Sequence, residues 1–375
     1  MSFSSEVLSN DERAIYSLRE LYRKHGYSHY KISKFEEYDL YVHNKNFLVS
    51  ENILSFTDTN GKLMALKPDV TLSIVKNIAA DNSSLNKVYY NEHVYRTSAE
   101  NNGFREIMQT GLECIGNIDV FSECEVIMLA MKSLGSISHN YLLDISHMGL
   151  VEGMIESAGI SEEYTNDILK LMSAKNIPAI RAFCASCGVS SEMTDNICEL
   201  TEMYLPIRAA IKKANGMRWG EKAGRALAEL EKIADAMESY GIGDKLYLDL
   251  SVINDMSYYD GVIFNGFIKG IPDSVLSGGR YDRLLSRLGK GMSAIGFAVY
   301  LDKLERFENV DPGYDVDIML TYDSNVELNT VINTVEKLVS EGNTVRTVTE
   351  ADKSLRYRKH IRVTEGGVNT IENND

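Results

Sequence analysis

Apolar positions in the opening segment recur at helical spacing, with Ile15, Leu18, Leu21 and Tyr22 on one face. Asp11 and Glu12 lead the segment, Arg23, Lys24 and His25 close it, and Gly26 follows. That order of charge suits a helix dipole and predicts an amphipathic helix with a glycine stop. The period then shortens. NILSFTDTNGKLMALKP reads as a hairpin turning at Asn60-Gly61, and LNKVYYNEHVYRT with FREIMQTGLECIG as a second strand pair joined by SAENNG. Helical spacing returns from Asp119 to about Ser136, and NYLLDIS reads as a short buried strand. From about 148 to 241 strand signals vanish and Ala, Glu, Leu, Lys and Met dominate, which predicts an all-helical insertion. Strands resume at KLYLDLSVI, VIFNGFI and SVLSGGRYD, and a helix beginning near Val299 is expected to close this domain by residue 310.

Residues 311–375 read as a small truncated α/β unit: strand DVDIMLTY, helix VELNTVINTVEKLVSEG, strand NTVRTVT and a frayed tail GGVNTIENND. Strands paired locally, with helices inserted as a block, predict an α+β fold with an antiparallel sheet flanked by helices. The strands before and after the insertion must share one sheet, because neither set alone buries a face. The chain of 375 residues is 44% hydrophobic, enough for such a core. Its net charge of −15 argues against nucleic-acid binding as the main task. No apolar run approaches the ~18 residues of a membrane span, and the start MSFSSEVLSNDER lacks the pattern of a secretory signal, so a cytoplasmic protein is expected. Five cysteines fit a reducing compartment. Cys184 and Cys187 form a CxxC without a nearby His or second pair and read as packed thiols at a helix end, so no metal or cofactor is expected.

Candidate chemistry gathers in four segments. On FREIMQTGLECIG, strand alternation puts Arg105, Ile107, Gln109, Gly111 and Glu113 on one side and Met108, Thr110, Leu112 and Cys114 on the other. A polar Gln109–Glu113 face deep in a domain needs partners. A small ligand with an ammonium group would supply one, and an internal Arg-Gln-Glu network would serve equally. Arg96 ends the preceding strand where a guanidinium could meet an anion. In KPDVT, Asp69 and Thr71 suit either an amine or the cap of the helix TLSIVKNIAA. Tyr258 and Tyr259 in SYYDG suit packing as well as a ligand ring, and SGGRYDRLL places Gly278 and Gly279 where a backbone approaches something closely.

In this order and spacing, the segments resemble the catalytic domain of class II histidyl-tRNA synthetases over roughly residues 10–308. VYRTSAENNGFREIMQTGLECIG is similar to motif 2 of that family, KPDVT to its histidine-contacting RPEGT, SYYDGVIF to its tyrosine-pair strand, SGGRYDRLL to its GGRYD turn, and AIGFAVYLDKL to motif 3. The departures are as informative. Asn254 stands where the synthetases carry the arginine of adenylate formation, Lys303 where motif 3 carries an ATP-clamping arginine, and Ser33 where motif 1 carries proline. Asn101 and Asn102 occupy a motif 2 loop one residue short, and the C-terminal unit is shorter than an anticodon-binding domain.

This retention of an amino-acid pocket with an eroded ATP site resembles the regulatory subunit of short-form ATP phosphoribosyltransferase, a synthetase-like paralogue. The resemblance implies a non-catalytic chain in a hetero-oligomer with the short catalytic subunit, required for the first step of histidine biosynthesis and for feedback inhibition by L-histidine. It also implies self-association as a dimer. Histidine is expected beside Asp69, Thr71, Arg96, Gln109, Glu113, Tyr258 and Tyr259. The two acids would take the ammonium, Gln109 and Arg96 the carboxylate side, and the tyrosines the ring. Consistent with this, the chain has no Walker-type phosphate loop, and Gly289-Lys290-Gly291 reads as a short turn. A minimal ligase activating an amino acid with ATP is the alternative. The basic run SLRYRKHIR is the one feature suggesting nucleic acid, and it reads equally as a solvated tail.

Overall fold

Helix α1 (Asn10–Lys24) buries Ala14, Leu18 and Tyr22 and ends before Gly26, which adopts a φ of 81°. This left-handed residue is the chain reversal that the helix-stop reading requires. The computed structural model describes residues 10–44, 53–79, 85–97, 103–252, 258–304, 314–352 and 354–374. Asn101, Asn102 and Asn254 lie outside them. The chain divides into two units, Met1–Phe307 and Glu308–Asp375.

In the first unit, α1 leads to β1 (Ser28–His29), β2 (Phe35–Glu37), α2 (Tyr38–Val42), β3 (Ser55–Thr57) and β4 (Leu63–Leu66). Strands β2, β4 and β3 make a small sheet, in that order. The β3–β4 turn is closed by Asp58, whose carboxylate accepts from the amides of Asn60 and Lys62, both at 2.8 Å. Helix α3 (Thr71–Asn77) precedes the two longest strands, β5 (Asn86–Thr97) and β6 (Phe104–Gly116). Next come α4 (Val120–Ile137), capped by Asp119, and β7 (Tyr141–His147).

The insertion is not all-helical as expected: it consists of α5 (Met148–Ser157), α6 (Thr165–Ser173), α7 (Ile177–Ser186), α8 (Ser191–Glu202), α9 (Ile207–Asn215) and α10 (Glu221–Ser239), with a two-residue strand, β8 (Leu205–Pro206), between α8 and α9 that joins the edge of the central sheet. Cys184 and Cys198 are buried within it and belong to the main hydrophobic core. The chain returns through β9 (Leu246–Leu248), β10 (Val262–Ile268), β11 (Leu276–Arg280), α11 (Asp282–Arg287) and β12 (Ser293–Tyr300).

Nine strands form the central sheet in the order β1-β5-β6-β12-β11-β10-β7-β9-β8. Strands from both sides of the insertion share it, as expected. All its pairings are antiparallel except β1–β5 and β7–β9. The helix expected near Val299 is instead the end of β12, and the described residues after it make a single 3₁₀ turn, Leu301–Lys303. Its residues alternate small and large: Ala294, Gly296 and Ala298 face one way, while Ile295, Phe297 and Val299 enter the core shared with α4. This period of two marks a strand that pairs on both edges.

One sheet face is covered by α1, α4 and the insertion. A separate apolar cluster, including Leu72, Ile74, Val75, Tyr90, Tyr281, Leu284 and Leu285, lies on the other face. None of the described helices is long and apolar enough to cross a membrane.

The second unit contains β13 (Val316–Tyr322), α12 (Leu328–Ser340), β14 (Val345–Val348), β15 (Tyr357–Thr364) and β16 (Gly367–Asn373), in the sheet order β14-β13-β15-β16. The tail expected to fray is therefore an edge strand, held by its ladder with β15 although its own side chains are mostly exposed. The basic run supplies β15 itself. Its arginines face aspartates: Arg356–Asp315 at 2.9 Å, Arg358–Asp317 at 3.2 Å and Arg362–Asp323 at 2.6 Å.

Candidate ligand-binding site

Strand alternation on β6 turns Leu112 and Cys114 into the helix-covered core and leaves Gln109 and Glu113 on the opposite face. There they line a cavity of about 580 Å³ together with Asp69, Thr71, Arg96, Tyr258 and Tyr259. The structure thus brings together all seven residues singled out for histidine. Lys303 lines the same cavity.

Glu113 is the best-held group. Its Oε1 accepts from the Thr71 hydroxyl at 2.7 Å, and its Oε2 accepts from the Tyr281 hydroxyl. Glycines on the neighbouring strands make room for it. Gly296 is its register partner on β12, and a Cβ there would lie 1.7 Å from Glu113 Oε2. Gly279 pairs in turn with Gly296, and a Cβ there would lie 2.7 Å from the Tyr259 ring. The sheet floor is therefore hollowed where the carboxyl and the ring lie. Tyr258 packs edge-on against Tyr259 at 4.6 Å and tilts toward Tyr281 at 5.8 Å, giving the cavity an aromatic wall.

Asp69 takes the cap reading of its segment. One oxygen accepts from the Leu72 amide at 2.8 Å and so caps the first turn of α3, while the other faces Arg96 at 4.0 Å. The Arg96 guanidinium also donates to the Pro68 carbonyl at 2.9 Å, which anchors it beside the cavity. Gln109 is 2% exposed, and its amide nitrogen has no partner among the described residues. The same holds for Asp302 Oδ1, which also lines the cavity. A buried amide left without a partner costs free energy until something bonds it.

Burial pushes the Glu113 carboxyl up to about 8, against the pull of the Thr71 and Tyr281 hydroxyls. Burial also raises Asp69, with Arg96 opposing. Both acids gain from a ligand that brings positive charge or N–H donors. Lys303 is differently committed: its ammonium donates to the Ser274 carbonyl at 2.7 Å and lies 5.1 Å from the Tyr300 ring centroid.

In SGGRYDRLL the sequence draws attention to the glycines and not to the Tyr281 hydroxyl, and nothing in it marks Gly296. Strand register carries the missing signal, because counting from Glu113 across β12 and β11 puts Gly296 and Gly279 in one row. No group of three or more His, Cys, Asp or Glu side chains among the described residues is arranged to hold a metal ion.

Residues 5–304 match the family model described as histidyl-tRNA synthetase. The chain is 30% identical over 316 residues to an ATP phosphoribosyltransferase regulatory subunit from Clostridium kluyveri, covering 81% of each chain. Its fold is similar to the crystal structure of an ATP phosphoribosyltransferase regulatory subunit/histidyl-tRNA synthetase from Bacillus halodurans. That match has a TM-score of 0.76 and 26% identity, and covers 97% of this chain and 96% of the other. A chain of the ATP phosphoribosyl transferase (HisG:HisZ) complex from Thermotoga maritima shares the fold at TM-score 0.62 and 20% identity, over 78% of this chain and 97% of that one.

Proposed function

Because the chain belongs to the family of ATP phosphoribosyltransferase regulatory subunits, built on a histidyl-tRNA synthetase-like frame, we propose that its cavity is a sensor site for L-histidine. Through that site it would set the activity of a separate ATP phosphoribosyltransferase catalytic subunit. The observation carrying this reading is the pairing of Glu113, held by two hydroxyls, with the orphaned Gln109 amide inside an aromatic-walled cavity. Histidine offers what these groups lack. Asp69 and Glu113 receive its N–H donors, Gln109 and Arg96 attend its carboxylate, and Tyr258 and Tyr259 pack on its ring.

The chain performs no transfer chemistry itself in this reading. Arginine to lysine is not a neutral exchange where planar, bidentate phosphate contact is needed, and Lys303 already spends its charge on the Ser274 carbonyl. The chain acts as a dimer within a hetero-oligomer. Feedback then means that histidine prefers one state of that assembly, with a coupling of ~1–3 kcal/mol.

The test is phosphoribosyl-ATP formation by the catalytic subunit with and without this chain, across a histidine titration. Activity that becomes histidine-sensitive only in the mixture is the expected result. An unchanged rate and histidine response with a competent partner would overturn the reading. Histidine-dependent exchange of pyrophosphate into ATP is expected to be absent, and its presence would restore the ligase alternative.

A further inference from the structure

The two hydroxyls that hold Glu113 come from two short helices tied together at their far ends. Thr71 is the first residue of α3, and Tyr281 immediately precedes α11. At the other end of α11 the chain closes a Schellman turn. The Gly289 amide donates to the Ser286 carbonyl at 3.1 Å and the Lys290 amide to the Leu285 carbonyl at 2.9 Å, with Gly289 at φ 72°. This turn aims Lys290 at the C-terminus of α3. Its ammonium donates to the carbonyls of Val75 at 2.5 Å, Lys76 at 3.1 Å and Ile78. A cation there satisfies carbonyls that have no partner within the helix and complements the negative end of its dipole.

We propose that Lys290 is a positioning residue for the ligand site: by clamping the last turn of α3 to the end of α11, it holds Thr71 and Tyr281 in register on the two oxygens of Glu113. The turn read from sequence as featureless thus becomes the distant brace of the pocket. The inference rests on the histidine reading of that pocket. It adds a residue outside the cavity lining whose loss is felt inside.

The effect is readable through the acidity of Glu113. The titratable groups that interact with that carboxyl are Asp69 from the α3 segment, Tyr90 from β5, Cys114 beside it on β6, Tyr258, Tyr259 and Tyr281, and the Thr71 hydroxyl bonds it. Only the Thr71 and Tyr281 bonds pull its proton affinity down. If they loosen, burial prevails and the carboxyl titrates higher.

The experiment is calorimetric titration of L-histidine into the full chain between pH 6.5 and 9, for the parent protein, Lys290→Met, Lys290→Arg and Leu284→Ala. The ligand's own titrations cancel between variants. Lys290→Met is expected to bind roughly tenfold more weakly. Its affinity midpoint moves to higher pH, and Lys290→Arg restores most of both. Leu284→Ala, which loosens the same apolar cluster without touching the clamp, lowers the melting temperature but leaves the midpoint in place. Gly289→Ala keeps the lysine but strains its turn, and it is expected to repeat the upward shift if Lys290→Met does not fold. Parent-like affinity and midpoint in Lys290→Met, or an equal shift in Leu284→Ala, would overturn the proposal. Absence of histidine binding by the parent protein would instead strike the reading of the pocket.

Discussion

Burial lifts the Glu113 carboxyl to about 8, which favours its protonated form at neutral pH. A ligand N–H donor needs the carboxylate, so in the proposed histidine reading binding releases that proton. Affinity is therefore expected to rise with pH up to about 8, and titration in buffers of different ionisation heat should show net proton release. The same shift has a stability consequence. Its folded value lies above the ordinary 4.5, so the contribution is fully present below about 4.5 and is lost as pH rises through about 8. Denaturant unfolding of the ligand-free chain at pH 5 and pH 8 should show that decline, reduced in Glu113→Gln. Gly296→Ala tests the hollow floor. Its methyl would collide with Glu113 Oε2, so a loss of ~1–3 kcal/mol in stability is expected, together with weakened histidine binding by calorimetry.

Among the elements, the small β2-β4-β3 sheet is pinned beside the site by a buried ion pair. Lys67, with a fully buried side chain, meets Glu92 on β5 at 2.5 Å, and Glu92 also accepts from the Ile32 amide at 3.1 Å. Removing one partner leaves the other charge uncompensated. Lys67→Met is thus expected to lower unfolding free energy by ~3–5 kcal/mol in urea titration and to weaken ligand binding, because Pro68 and Asp69 follow directly in the chain. Parent-like stability would count against the pin. Nothing in KPDVT marks Lys67 as buried, since its partner is 25 residues away. The strand β12 was hidden for a related reason. AVYLDKL reads as helix until the small-large alternation from Ser293 is set against its two partner strands.

Over the whole molecule, the charge of −15 and the pairing of Arg356, Arg358 and Arg362 with aspartates leave the basic run little to offer a phosphate backbone. Mobility-shift titration with transfer RNA at physiological salt is expected to show no retention at micromolar protein. Tight, salt-sensitive retention would reopen the nucleic-acid reading. Histidine at a hundred times its dissociation constant should stabilise the chain by ~2.7 kcal/mol, measured as a rise in urea midpoint.

Local and periodic features were determined by sequence alone: α1, the Asn60-Gly61 hairpin, the β5–β6 pair, the helical block, and the polar face of Gln109 and Glu113. Each depends on residues close in the chain, where side-chain periodicity and turn chemistry act directly. The order of the four motifs also carried the family, because it preserves contacts without showing them. Only the tertiary structure decided that Tyr281 and Thr71 share Glu113, that Gly296 vacates its space, that Asp69 caps a helix while facing Arg96, and that Lys290 reaches α3. These pairings join residues whose separation in sequence runs up to 215 positions. Whether a polar group there is partnered or orphaned depends on strand register and burial, quantities that no local pattern records.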